Sequence, residues 1–301
     1  MTIAELHGKL APDRPLGAHE RMEDLLTSDV FGTMKYTGWN YGFLDWLLKA
    51  EPAPITPSPP PIKDFLLKDE IAAIDYAFWP LLRNKREPDL AMLFSFALES
   101  PMLVLVESKY FSGTSDWDGN EEVSPYGLTG NQIADQVKGL SRMSDLELMK
   151  WFRPSHRFEH SNEDLKFIRL HLFITIHAIL PVQDYEYAKK HIKGSWPINS
   201  YWVSWTSLAQ CLEGNAQSAH RGVDALIGDL QSLLKRKGLV PFDGFKTDAL
   251  NISRIEGSFW VEKWWTTPPL EMSEYESFWH RAFWQIDDIG PLPKGAFWKV
   301  R

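Results

Sequence analysis

The chemistry-bearing pattern of this 301-residue chain is short: Asp89, preceded by Pro88, and the tripeptide Glu107-Ser108-Lys109. Metal-assisted hydrolysis of a phosphodiester needs carboxylates to hold a hard cation such as Mg2+, and a group that orients a hydroxide-like nucleophile. Two carboxylates and a lysine meet both needs. The segment Met102-Leu103-Val104-Leu105-Val106 is apolar at every position, as in a strand buried on both faces, so its first charges appear at its carboxyl end. Period-two alternation places Glu107 and Lys109 on one face and Ser108 on the other. The apolar run from Ala91 to Leu98 precedes it, and Glu99-Ser100-Pro101 between the two reads as a hairpin connection. With Leu98, Glu99 and Ser100 as a three-residue loop, Ala97 faces Pro101, and Asp89 falls opposite Lys109 and diagonal to Glu107. One residue of slip undoes this and a bulge restores it. The competing reading makes Glu107 and Lys109 an ion pair where a strand leaves the core, and Asp89 a turn residue. Each residue alone suits that reading. A buried hairpin joining the halves and a glutamine-bearing helix after it favour the chemical one.

Several elements must position these groups. Met22, Leu25, Leu26 and Val30 have helical spacing, predicting an amphipathic helix over 20–31 that closes near Gly32. A short helix or turn follows at Phe43 to Leu48. The proline-rich stretch 52–61 reads as a polyproline-like or irregular surface connection, since proline lacks an amide donor. Ile71 to Leu82 reads as a passage from helix to strand. Ser112 to Asn131 is rich in Gly, Ser, Asp and Asn without periodicity and is expected to be a long loop. Further on come a helix from Gln132 to Met143, a strand from Phe167 to Leu180, a helix from Asp184 to Ile192, a strand from Ser200 to Trp205, and an amphipathic helix from Gly222 to Lys237 stopped by Gly238. The alternation predicts an α/β fold with a mixed central sheet covered on both faces. From Gly257 onward Trp260, Trp264, Trp265, Trp279, Trp284 and Trp298 stand among prolines and charges, which divides the chain into a domain over 1–256 and an extension over 257–301. Packing on the core is the default reading for such tryptophans, with base stacking the rival.

Composition narrows the function further. The formal net charge of −8 argues against nucleic-acid binding by bulk electrostatics but is compatible with a local basic groove. Lys138, Arg142, Lys150, Arg153, Arg157, Lys166 and Arg169 form one basic stretch and Lys235-Arg236-Lys237 another, with solvated helix faces as the ordinary alternative. No apolar stretch approaches the roughly 20 residues that span a bilayer. The amino terminus has no apolar segment of the kind a secretory signal needs, and the single cysteine, Cys211, suits a reducing cytoplasm.

Arg86-Glu87-Pro88-Asp89-Leu90, Val106-Glu107-Ser108-Lys109-Tyr110 and then Gln132 resemble the PD-(D/E)XK, or restriction-endonuclease-like, nuclease superfamily. The resemblance spans roughly residues 20–245, because Glu23 to Gly32 and Lys237 to Phe245 also look like segments of uncharacterised bacterial members. It implies a core of order α-β-β-β-α-β. It implies that Asp89 and Glu107 ligate one or two Mg2+ ions, with Mn2+ able to substitute, helped by the Ser108 carbonyl. Lys109 would orient the attacking water and stabilise charge building on the phosphate. Many members add a glutamate from the first helix. Glu23 matches it best, with Glu20 one turn earlier on the same face. Gln132 takes the position from which the helix after the catalytic strand reaches the site, with Gln136 one turn on. The long loop from Ser112 to Asn131 departs from the family pattern.

The expected function is therefore a metal-dependent DNA endonuclease acting in defence or repair, alone, as a homodimer or with a partner protein. The rival is a catalytically inactive module of the same fold that binds nucleic acid or protein. Weaker constellations give way to these. His156 and His160 have an i, i+4 spacing that suits Zn2+ but lack a second ligand pair. His171 and His177 are too far apart to share a metal directly. Ser108 lacks a Gly-x-Ser-x-Gly setting, and no glycine-rich phosphate loop is present.

Overall fold

The computed structural model describes residues 20–110, 128–152, 166–213 and 221–240. The chain divides into two units, Met1–Phe242 and Asp243–Arg301. The second unit, with the expected tryptophan-rich extension, lies outside the described residues. So do the greater part of the loop after Tyr110, and His156 and His160.

The elements in chain order are α1 (Glu20–Thr37), α2 (Phe43–Leu47), β1 (Glu51–Pro52), α3 (Lys63–Leu66), β2 (Ile71–Phe78), β3 (Leu90–Phe96), β4 (Met102–Ser108), α4 (Gln132–Arg142), α5 (Asp145–Met149), β5 (Ile168–Thr175), α6 (Val182–His191), β6 (Asn199–Ser204), α7 (Trp205–Glu213) and α8 (Arg221–Arg236). The strands form one open mixed sheet of order β1-β6-β5-β4-β3-β2. β4 pairs antiparallel with β3 and parallel with β5, which places it inside the sheet and accounts for its unbroken apolar sequence. Strand parity divides the core. Leu90, Met92, Val104, Val106, Leu172 and Val203 face a layer made by α1, α2, α7 and α8. Ala91, Leu93, Leu103 and Leu105 face α4 and α5, and Phe173 and Trp202 face α4 and α6. No helix among the described residues is long and apolar enough to cross a membrane.

Several expectations are corrected. α1 runs through Gly32 to Thr37, because Phe31 and Met34 bury on either side of it, and packing offsets the roughly 1 kcal/mol that an internal glycine costs. The stop is Gly38, at φ +91°. Ile71 to Phe78 is strand throughout. Its alanines favour helix locally, but the open edge of β3 supplies ladder partners from Ile71–Phe96 to Phe78–Leu90. The proline-rich stretch is partly built into the fold: Glu51 and Pro52 pair with β6, Ala53 donates its N–H to the Ser200 carbonyl, and Ala53 and Ile55 are buried. An edge strand tolerates proline because one side needs no donor. α3, α5 and α7 were not anticipated. α7 follows β6 without a break, and its Trp205 stacks on Trp46 with ring centroids 5.4 Å apart.

The largest correction concerns register. β3 and β4 pair from Phe94–Met102 to Leu90–Val106, a two-residue offset from the expected three-residue loop. Pro101 has no N–H for the ladder, and its carbonyl accepts from Ile168 on β5 instead. Continued outward, this register sets Asp89 against Glu107 rather than Lys109. A two-residue offset preserves facing, so the juxtaposition survives.

Candidate active site

The site lies at the carboxyl end of β4, where the ladder with β3 stops and side chains from both helical layers meet. Asp89 sits one residue before β3. Trp79, in the left-handed region at φ +49°, turns the chain after β2 and donates its N–H to the Asp89 carbonyl at 3.0 Å. Asp89 Oδ2 accepts the Ser108 N–H at 2.7 Å and the Ser108 hydroxyl at 3.0 Å. With the Ser108 hydroxyl proton donated to Asp89, the contact of 2.5 Å between Ser108 Oγ and Thr27 Oγ1 is one in which Thr27 donates. Thr27 is on α1, so Ser108 locks the first helix to the strand end.

Alternation does the rest, as expected. Glu107 points to the opposite layer, where Gln136 Nε2 on α4 donates to its Oε2. Lys109, just beyond the strand, places Nζ 2.8 Å from Glu107 Oε1 and 2.9 Å from Glu23 Oε1 on α1. The Tyr110 N–H points to Glu23 Oε2 at 3.5 Å. Oxygen atoms of Glu23, Asp89 and Glu107 lie within 4.8 Å of one another, and all three residues are buried.

Three carboxylates thus meet one ammonium away from water. Burial drives the Asp89 carboxyl well above the ordinary carboxylate range, with the charge on Glu107 pushing the same way against Lys109. Burial also raises Glu107, opposed by Lys109 and by the hydrogen bond from Gln136. For Lys109, burial works against the ammonium, but Glu107, Glu23 and Asp89 together outweigh it and hold the proton more tightly than in water. Among the described residues, the three carboxylates outnumber the cation that meets them.

Asp89, Glu107, Lys109 and Glu23 are therefore brought together. The side chain of Glu20 lies outside the described residues. Ser108 contributes its N–H and hydroxyl to Asp89. The glutamine that reaches Glu107 is Gln136, not Gln132. Gln132 is the first residue of α4, immediately after the cap in which the Asn131 side chain accepts the Ala134 N–H. One more helical turn, about 5.4 Å along the axis, is needed to come level with Glu107.

One residue was missed. His171 on β5 is fully buried, pairs in register with Leu105, and approaches Gln136 Oε1 through Nε2 at 3.2 Å. Because the Gln136 amide nitrogen donates to Glu107, its oxygen must accept, so His171 carries its proton on Nε2. Nδ1 is then the bare acceptor, and the described residues supply it no donor. Burial pushes His171 down to about 3, so it stays neutral while orienting the glutamine. A polar residue inside the run Ile168–Thr175, at the parity that faces α4, is the signal in the sequence.

No protein-family model, curated protein or solved structure matches the chain. Function must be read from the site.

Proposed function

We propose that this chain is a divalent-metal-dependent nuclease of the PD-(D/E)XK type that hydrolyses phosphodiester bonds in DNA. The observation that carries the reading is the convergence of Glu23, Asp89 and Glu107 within 4.8 Å at the end of a buried strand, with Lys109 between two of them. The donor set fits a hard cation. All three groups offer the carboxylate oxygens that Mg2+ prefers, and their oxygens lie within 4.8 Å of one another, so Glu23, Asp89 and Glu107 would hold such a cation together. The excess of negative charge gives that cation an electrostatic reason to bind. The order α1, β2, β3, β4, α4, β5 is compatible with the core that the resemblance implies.

In this reading Asp89 and Glu107 hold the cation with help from Glu23. When bound, the cation polarises the phosphoryl oxygens and acidifies water. Lys109, charged throughout the physiological range, orients the attacking water and stabilises negative charge developing on the phosphate. Gln136, held by His171, fixes the carboxylate plane of Glu107, and Ser108 fixes that of Asp89.

Calorimetric titration with Mg2+ and Mn2+ tests the site without a chosen substrate: wild type takes up metal and Asp89→Asn does not. Incubated with plasmid DNA and either metal, wild type cuts, whereas Glu107→Ala and Lys109→Ala leave the plasmid intact. Equal behaviour of wild type and both variants on DNA and RNA alike would sink the catalytic claim and leave a nuclease-shaped binding module.

A further inference from the structure

A second polar feature lies on the solvent side of α4. Lys138, Ser141 and Arg142 from α4, Lys190 and His191 from α6, Lys193 just after it, and Thr129 line a cleft of about 500 Å³. Among the described residues no carboxylate lines it, in a chain of net charge −8. The four lysine and arginine side chains have no ion-pair partner among the described residues. The neighbouring cations do: Lys189 is bound to Glu186 at 2.6 Å, and Arg169 to Asp145. The fold thus gathers four positive charges, unpaired among the described residues, from two elements distant in sequence. Burial lowers the proton affinity of the Lys138 ammonium, and the charges on Arg142 and Lys193 lower it further against the pull of Asp135. Such mutual repulsion is relieved by a bound anion. The dipole at the α6 carboxyl terminus accounts for Lys190 and His191 on that helix, but not for Lys138, in the middle of α4, facing them.

We propose that this cleft binds the phosphodiester backbone of a nucleic acid. Several cations in a row, together with the Ser141 and Thr129 side chains, match a chain of singly charged phosphates that accept hydrogen bonds. Lys138 stands two residues from Gln136, the contact to Glu107, so a strand held in the cleft lies about one helix diameter from the carboxylates. The choice of ligand rests on the nuclease reading, whereas the charge arrangement does not.

The test is fluorescence anisotropy on full-length protein without divalent metal, using labelled duplex DNA, single-stranded DNA and single-stranded RNA over a range of salt. Two variants, Lys138→Ala with Arg142→Ala and Lys190→Ala with Lys193→Ala, alter different elements, so misfolding of one leaves the other informative. Each is expected to weaken binding about ten-fold or more and to flatten the dependence of log affinity on log salt by about 2. Lys189→Ala and Lys68→Ala, whose side chains are already paired, are expected to bind like wild type. The proposal is overturned if wild type binds none of the three probes, or if both double variants retain its affinity and salt slope. Loss of metal uptake in Asp89→Asn alongside unaltered binding in the cleft variants removes the cleft and keeps the nuclease. Loss of binding in the cleft variants alongside no strand cutting by any protein removes the nuclease and keeps the cleft.

Discussion

Two adjacent residues of α4 lead into two buried polar clusters that differ in charge balance. Asp135 is 1 % exposed and fully answered: Arg86 donates to its Oδ2 from Nε at 3.1 Å and from Nη2 at 2.8 Å, and Thr129 donates to Oδ1 from its N–H and its hydroxyl, each at 2.8 Å. One carboxylate meets one guanidinium, and both of its oxygens are satisfied. Gln136, the next residue, opens onto Glu107, Asp89 and Glu23, around which Lys109 is the ammonium that the described residues supply. Burial alone does not distinguish a site from a structural tie. The distinction is whether the charges close among themselves. The first cluster fastens the segment before Asp89 to α4, and the second holds a charge deficit in place.

The sharpest way to break this contrast is to remove one carboxylate from each cluster. Glu107→Gln should reduce DNA cleavage at least about a hundred-fold while leaving the fold intact. Asp135→Ala should do the reverse, lowering stability by about 3 kcal/mol in urea unfolding because Arg86 and Thr129 lose their acceptor, yet leaving metal uptake by the folded protein in place. Two variants that resemble each other in both assays would erase the distinction.

A pH series on metal-free protein comes next. The folded-state value of Asp89 is raised, so the stability it contributes is fully present below the unfolded carboxylate value and is lost as pH rises through the raised one. Asp89→Asn should therefore melt progressively higher than wild type as pH climbs above the unfolded carboxylate value, by on the order of a few degrees. His171, whose folded value is depressed, acts in the opposite sense: its contribution is present above about 6.5 and is lost as pH falls toward about 3. Comparing the variant with wild type cancels that slope. A constant difference between the two across this range would contradict the charge deficit.

A smaller effect separates the two glutamines. Gln136→Ala should slow cleavage about ten-fold, the worth of one hydrogen bond to a charged group, and Gln132→Ala should stay within about two-fold in the same single-turnover assay. The smallest effect belongs to the surface. Lys68 and Glu99 form a pair 2.8 Å apart with side chains 54 % and 38 % exposed, and Lys68→Ala should change stability by less than about 1 kcal/mol. A larger loss would mean that ion pairing, rather than charge imbalance, sets the energetic scale in this molecule.

What the sequence determined by itself is local. The apolar run from Met102 to Val106 requires a strand buried on both faces, and its ending in Glu107-Ser108-Lys109 requires charges at one end of that strand, since alternation is a property of the backbone. Helical spacing likewise predicted α1, α4, α6 and α8 to within a few residues, apart from the extension of α1 past Gly32. Tertiary structure decided the rest. The partner of Asp89 followed from the register of β3 on β4, in which Pro101 is withheld from the ladder and its carbonyl is taken by Ile168 of β5. Gln136 replaced Gln132 because burial of Ile133, Val137 and Leu140 sets the axial position of α4 over the sheet. His171, the union of Glu23 with Lys109, and the cations of α6 facing Lys138 join segments dozens of residues apart. Spacing along the chain carries the chemistry of each group, whereas charge balance is a sum over neighbours in space.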